Sequence, residues 1–140
     1  MADFLEVTAA WESGYRSLVS ARGHEIQIDE PESAGGQNTG LMPTEVLCAA
    51  VAGCYCLALA HVAAKRSLEL PGLRVTARAE RAGSELRYGR LVVEARADVP
   101  NERLAGLIEP ARRCCWVSNT LAGQLELEYR YTPVDARSPE

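Results

Sequence analysis

Five cysteines in a chain of 140 residues are the side chains with the most chemistry to offer: Cys48, Cys54, Cys56, Cys114 and Cys115. They form two groups about sixty residues apart. A reduced cysteine attacks as its thiolate, and with a pKa near 8.5 only about 3% is ionised at pH 7. Redox work therefore needs a cation or directed donor beside one sulfur. It also needs a second thiol to capture the sulfenic acid before over-oxidation. No CxxC pair is present, so the pattern matches no zinc ribbon. Cys54 and Cys56 are turned about 200° from each other on a helix, so they neither share a metal nor pair. His61 lies seven residues past Cys54, near the same face, so Cys54, His61 and Cys115 form one alternative, metal-binding set.

The stretch that must position the first group runs from Pro43 to Arg66 (PTEVLCAAVAGCYCLALAHVAAKR). From Val46 to Ala64 it contains no carboxylate, lysine or arginine. Pro43 suits a first helical turn, Glu45 suits the positive end, and Lys65 and Arg66 suit the other. A helix apolar on every side is either a buried helix or a membrane span. Its alanine, glycine and cysteine content favours close packing, so we expect the central helix of a soluble domain. One small sheet cannot cover both sides of it, and a second subunit is the expected cover.

The rest of the chain reads in short elements. Residues 4–11, 15–20 and 24–29 are expected strands of an antiparallel meander, turning at Glu12-Ser13-Gly14 and at Arg22-Gly23. A glycine-rich loop follows from Glu30 to Met42. Its glycines offer a phosphate cradle, although the spacing fits neither a P-loop nor a dinucleotide fingerprint. Beyond Pro71-Gly72, strands 73–81 and 86–98 form a hairpin. Its basic outer face carries Arg74, Arg78, Arg81, Arg87, Arg90 and Arg96, which read as solvated. Asn101 is placed as the N-cap of a second helix that Pro110 should break or kink. Residues 124–131 (QLELEYRY) alternate strictly and are expected as the last strand; 133–140 are expected to fray. The order βββ-α-ββ-α-β is an α+β fold of antiparallel sheets around a long central helix, in one domain spanning 1–140.

Charge and composition exclude other classes. A net charge of -4 argues against a nucleic-acid surface. MADFLEVTAAWE is not a signal peptide, so a cytoplasmic location with reduced thiols is expected, and no membrane partner.

GHEIQIDEP, then GG, then TGLMPTEVLCAAVAGC, and finally CWVSNTL resemble the OsmC/Ohr family (osmotically inducible protein C and organic hydroperoxide resistance proteins), in its general OsmC-like branch. The resemblance implies an intertwined homodimer and a thiol-dependent peroxidase, with no cofactor and no metal. The implied substrates are organic (lipid or alkyl) hydroperoxides, and the implied reductant is a dithiol or lipoylated protein. It further implies that Cys54 is the peroxidatic nucleophile and Cys115 the resolving thiol. Arg16, with Arg22 as the competing position, would correspond to the arginine that stabilises the thiolate and lowers its pKa. Glu45 is the carboxylate nearest the family's catalytic glutamate, whose own place is taken by Thr44; Trp116 replaces the family's proline after the second cysteine. A non-catalytic redox sensor or small-ligand-binding protein of the same fold is the alternative.

Overall fold

The computed structural model describes residues 4–133. The central helix forms as the sequence dictates: α1 runs from Pro43 to Lys65. Its buried residues are Val51, Tyr55, Ala58, Leu59, Val62 and Ala63. From Tyr55 onward these follow the three-and-four spacing that places side chains on one stripe of a helix. On other faces Leu47 and Leu57 are exposed, Leu57 at 74%. By length and composition α1 is apolar enough to cross a bilayer, with a mean hydropathy of 2.1 in its most apolar stretch.

The buried stripe meets two layers. On one side lies a hairpin, β4 (Arg74–Arg81) and β5 (Tyr88–Arg96). Its antiparallel register sets Val75 opposite Ala95, Ala77 opposite Val93 and Ala79 opposite Leu91. Successive strand residues alternate faces, so these small and branched side chains all face α1 while the arginines point outward. The outer face is indeed lined with exposed charge, and Arg90 and Arg96 pair with Glu80 and Glu94 at 3.3 and 3.7 Å. Such exposed pairs contribute little, about 0–1 kcal/mol each.

On the other side lies α2 (Asn101–Arg113), followed by a short α3 (Trp116–Ala122). Leu59, Leu107, Ala111 and Cys115 have no exposed surface and form the centre of the core. Burying a leucine side chain fully stabilises the fold by about 1.5–3 kcal/mol. The Tyr55 hydroxyl reaches the same layer and donates to the Ile108 carbonyl at 3.2 Å.

Two local expectations for α2 are corrected. The helix starts one residue early, because the first turn closes on the Pro100 carbonyl, which accepts from Arg103 N–H at 3.0 Å. Asn101 is therefore the first helical residue and Pro100 holds the cap position. Pro110 does not break the helix, which continues to Arg113. Proline at 110 deprives the Gly106 carbonyl of its donor. The Arg66 guanidinium, arriving from the end of α1, donates to that carbonyl at 3.1 Å.

The amino-terminal meander is present: β1 (Thr8–Ser13), β2 (Arg16–Ala21) and β3 (His24–Ile28) form an antiparallel sheet in that order. Arg22 and Gly23 both have positive φ, 52° and 81°, as a two-residue hairpin turn requires. This sheet pairs with neither β4 nor β5. Trp11, on β1, is 75% exposed.

The last expected strand is not one in the single chain. Residues 124–133 carry no strand or helix, and α3 occupies part of the connection before them. The alternation is intact, but no neighbouring strand lies alongside to complete a ladder. Leu125, Leu127, Tyr129 and Tyr131 are all exposed, at 60–89%. The element order within the chain is thus βββ-α-ββ-αα. The expected fraying of 133–140 falls, from residue 134 on, outside the described residues.

Candidate functional site

Cys54 sits in the middle of α1, half-buried, at the edge of the Tyr55–Leu59 stripe. Cys115 is wholly buried in the core that the same stripe packs against. It occupies the N-cap position of α3, and its carbonyl accepts from Asn119 N–H at 3.0 Å. The first N–H groups of a helix have no intrahelical acceptor. The Ser118 hydroxyl donates to the Cys115 carbonyl at 3.2 Å. The fold thus brings together Cys54 and Cys115, side chains that are about sixty residues apart in sequence.

Their environments differ in sign. Burial pushes the Cys115 thiol up, but the Ser118 hydroxyl, the Ser118 and Val117 N–H groups and the Cys54 thiol outweigh it, and Cys115 lies below the ordinary thiol value. Burial also pushes Cys54 up, and the hydrogen bond to Cys115 and the charge on that sulfur push it further. The N–H groups of Val117 and Trp116 oppose this without reversing it. In the single chain the Cys54 thiol is thus raised rather than lowered. Among the described residues, no cation stands beside Cys54 to offset its burial.

Arg16 is not that cation here. It lies on β2, in the sheet that stands apart from the α1–α2 core, and its guanidinium is 3.9 Å from Glu12. Its Nε is buried without a hydrogen-bond partner. Arg22, the competing position, is exposed in the β2–β3 turn. Glu45 accepts a hydrogen bond from the Met42 N–H at 2.9 Å and so closes the first turn of α1. It lines a cavity of about 500 Å³ with Leu41, Met42, Cys48, Val75 and Tyr88, a different place from the Cys54–Cys115 pair. Cys56 is half-buried on α1, and Cys114 is exposed, its thiol donating to the Ala111 carbonyl at 3.4 Å. His61 is exposed. Among the described residues, no three His, Cys, Asp or Glu side chains gather to hold a metal ion, so the Cys54/His61/Cys115 set does not assemble.

A second cavity, of about 600 Å³, opens between α1, β5 and α3, lined by Leu47, Val51, Leu91, Val93, Ser118 and Leu121. Two of its lining residues neighbour the cysteines in sequence: Val51 is one helical turn before Cys54, and Ser118 donates its hydroxyl to the Cys115 carbonyl. Its lining mixes these aliphatic side chains with Tyr88, Arg87 and Arg90.

The glycine-rich loop is filled from within. Asp29 has no exposed surface and accepts hydrogen bonds from the N–H groups of Glu30 at 2.8 Å, Gln37 at 3.2 Å and Thr39 at 3.1 Å, and from the Thr39 hydroxyl at 2.7 Å. Desolvation pushes its carboxyl up, yet these four donors outweigh it and hold the group below the usual carboxylate value. A side chain at Gly36 would land on the Glu30 carbonyl. The donors that a phosphate would need are thus already engaged. Asp29 N–H donates to the Leu41 carbonyl at 3.1 Å, tying the end of β3 to the start of α1.

Two features of the site escaped the sequence reading. Ser118, three residues after Cys115, has the spacing of a helix N-terminal motif. Asp29 stands where a strand gives way to glycines, where a side-chain acceptor organises loop N–H groups.

The match to the family model OsmC-like protein covers residues 36–130. No curated protein matches this chain. Among solved structures, an organic hydroperoxide resistance protein from Elizabethkingia anophelis is 27% identical, with 90% of this chain and 93% of that one covered and a TM-score of 0.64. An organic hydroperoxide resistance protein OsmC from Legionella pneumophila is 21% identical, covering 88% and 93%, with a TM-score of 0.67. An OsmC like protein from Mycoplasma pneumoniae is 18% identical, covering 88% and 90%, with a TM-score of 0.71. The fold is thus that of the OsmC and organic hydroperoxide resistance proteins, and with a family model matched over two thirds of its length the chain belongs to the OsmC-like family.

Proposed function

We propose that this protein is a thiol-dependent peroxidase that reduces organic hydroperoxides through Cys54 and Cys115. The observation that carries the reading is the pair itself: the half-buried Cys54 packs against the core cluster that holds the wholly buried Cys115. Cys54 attacks the distal peroxide oxygen; the O–O bond breaks, an alcohol leaves, and Cys54 becomes a sulfenic acid. Cys115 then displaces hydroxide from that sulfur and forms the disulfide, which an external dithiol reduces by exchange. The aliphatic part of the cleft between α1, β5 and α3, formed by Leu47, Val51, Leu91, Val93 and Leu121, supports an organic rather than an inorganic peroxide. Arg16 and Glu45 have no assigned step in this chain, since neither reaches the pair.

The protein works, in this reading, as a homodimer in the reducing cytoplasm. The uncovered face of α1 and the unpaired alternation of residues 124–131 support a second copy as their cover. An obligate interface of this kind typically exceeds about 2,000 Å².

The test is turnover by purified protein with cumene hydroperoxide, with hydrogen peroxide, and with a dihydrolipoyl reductant. Reduction of cumene hydroperoxide well above the uncatalysed thiol rate, with hydrogen peroxide slower, is the expected result. The raised Cys54 thiol favours one other reading, a redox sensor. Stoichiometric formation of a Cys54–Cys115 disulfide without turnover would establish that reading instead.

A further inference from the structure

The outer face of the β4–β5 hairpin has no part in the thiol chemistry, yet it is a basic surface on an acidic protein. Alternation puts Arg74, Arg78 and Glu80 of β4 on it, beside Arg90, Glu94 and Arg96 of β5. Four guanidiniums thus stand with two carboxylates around a groove of about 590 Å³, and the shorter Thr76 and Val92 lie between them. The chain as a whole carries a net charge of -4. We infer that this groove is a docking face for an acidic segment of another protein, whose carboxylates are received by the four arginines. The inference does not depend on the chemistry of the thiols.

The cations of this face are under-paired. In the antiparallel register Arg74 lies directly opposite Arg96. Like charges at directly opposed positions destabilise a sheet. Arg74 forms no ion pair among the described residues. Glu80 is shared between two arginines, 4.0 Å from Arg78 and 3.3 Å from Arg90. Arg96 reaches Glu94 at 3.7 Å. At the hairpin tip, by contrast, Arg87 holds Glu85 through two hydrogen bonds, at 2.7 and 3.1 Å. The chain can thus satisfy a guanidinium with its own carboxylate, and on this face it leaves the cations in excess.

Charge and shape select the partner. Arg78, Arg90 and Arg96 are 78%, 68% and 74% exposed, so each can exchange a weak internal pair for a carboxylate held by two hydrogen bonds. From Arg90 to Arg96 the strand spans about 20 Å, the reach of about six extended residues. Removing these four arginines and two glutamates from the chain's 15 cations and 19 carboxylates leaves an excess of six negative charges elsewhere. That remainder repels an acidic partner, so this face steers and orients it. A nucleic acid meets the same repulsion, and its phosphate backbone needs more clustered cations. A membrane surface would need an apolar side chain to insert, and no residue lining the groove is a large exposed hydrophobic. A second copy cannot seat this face on itself, because the symmetric contact would set arginine against arginine.

The deciding experiment is fluorescence anisotropy of a labelled octaglutamate peptide titrated with the full chain. Octaglutamine, a single-stranded oligonucleotide and phosphatidylserine vesicles serve as comparison probes. The expected result is octaglutamate binding that weakens steeply as salt rises, with no binding of octaglutamine. Arg74→Glu should weaken it about two- to fivefold, and Arg74→Glu with Arg78→Glu about tenfold or more. Arg103→Glu, an exposed substitution on α2 with the same change of net charge as Arg74→Glu, should leave it unchanged. Since Arg74→Glu also relieves the opposed like charges, it should unfold in urea no earlier than the wild type. Lost binding without lost stability is a result that a purely structural role for Arg74 does not produce. Absence of octaglutamate binding at low salt, an equal loss in Arg103→Glu, or tighter binding of the oligonucleotide or the vesicles would each overturn the docking face. Should Arg74→Glu fail to fold by circular dichroism, Arg78→Glu alone decides, and unchanged binding there overturns the inference.

Discussion

The core of α1, the β4–β5 hairpin and α2 and the segments outside it, the amino-terminal sheet and residues 124–131, carry the same kind of sequence pattern, and only the core finds its complement within the chain. In β4 and β5 the alternation of apolar and charged residues is resolved: Val75, Ala77, Leu91 and Val93 meet α1, and α1 meets Leu107 and Ala111. In residues 124–131 an equally strict alternation meets nothing, and Trp11 in β1 remains 75% exposed. A pattern of period two specifies which face of a strand is apolar; it does not specify what lies against that face. The chemistry follows the same division. Both thiols of the candidate site belong to the resolved half, whereas Arg16 lies in the sheet that has no partner.

Four measurements break or sharpen this contrast. The largest effect is expected at the centre of the resolved half. Leu107 is fully buried, and Leu107→Ala should cost about 2–5 kcal/mol in urea unfolding, through lost burial and the cavity left behind. A cost below 1 kcal/mol would mean that the α1–α2 core is not the seat of stability.

Next is the unpartnered segment. If a second copy covers it, Leu127→Asp should weaken self-association by about 1–2 kcal/mol, roughly five- to thirtyfold in the dissociation constant. Light scattering across a dilution series reads this directly. A wild type that is monomeric at micromolar concentration would remove the second copy from the account.

The seam between the halves responds to acid. The Asp29 carboxyl is held below its ordinary value in the folded chain, so its contribution is complete above the unfolded value, about 4, and fades as pH falls through the folded one. Amide exchange at Gln37 and Thr39 should therefore accelerate as the pH drops below about 4, and Asp29→Asn should show the faster exchange at neutral pH as well. No pH dependence beyond the intrinsic exchange rate would contradict this.

The smallest effect is expected at Arg16. Its guanidinium faces Glu12 rather than the thiols. Arg16→Ala should leave the pH profile of Cys54 alkylation unchanged. An upward shift on removing Arg16 would show that a guanidinium does reach the thiol, and would join the two halves across a subunit boundary.

Much of this was legible in advance. The central helix was readable because nineteen consecutive residues without a formal charge, framed by Pro43, Glu45, Lys65 and Arg66, admit few alternatives. The meander and hairpin were readable because their turns carry residues that tolerate positive φ, such as Gly23. Pro110 misled because its cost is local, while its remedy, Arg66 on the Gly106 carbonyl, comes from forty residues away. Residues 124–131 misled because a strand is a relation between two segments and the chain supplies one. The burial of Cys115 was hidden because it depends on the turn from α2 into α3, and α3 itself had not been anticipated.

The loop around Asp29 has a consequence for regulation. A carboxylate tethered a few residues from its own donors competes at an effective concentration of at least the millimolar range, without losing the entropy of a free ligand. A nucleotide or sugar phosphate would have to displace that internal occupant and would recover only the same N–H groups. The chain's glycine-rich turn therefore keeps the N–H donors before α1 occupied by its own carboxylate, and a phosphate would find none of these free.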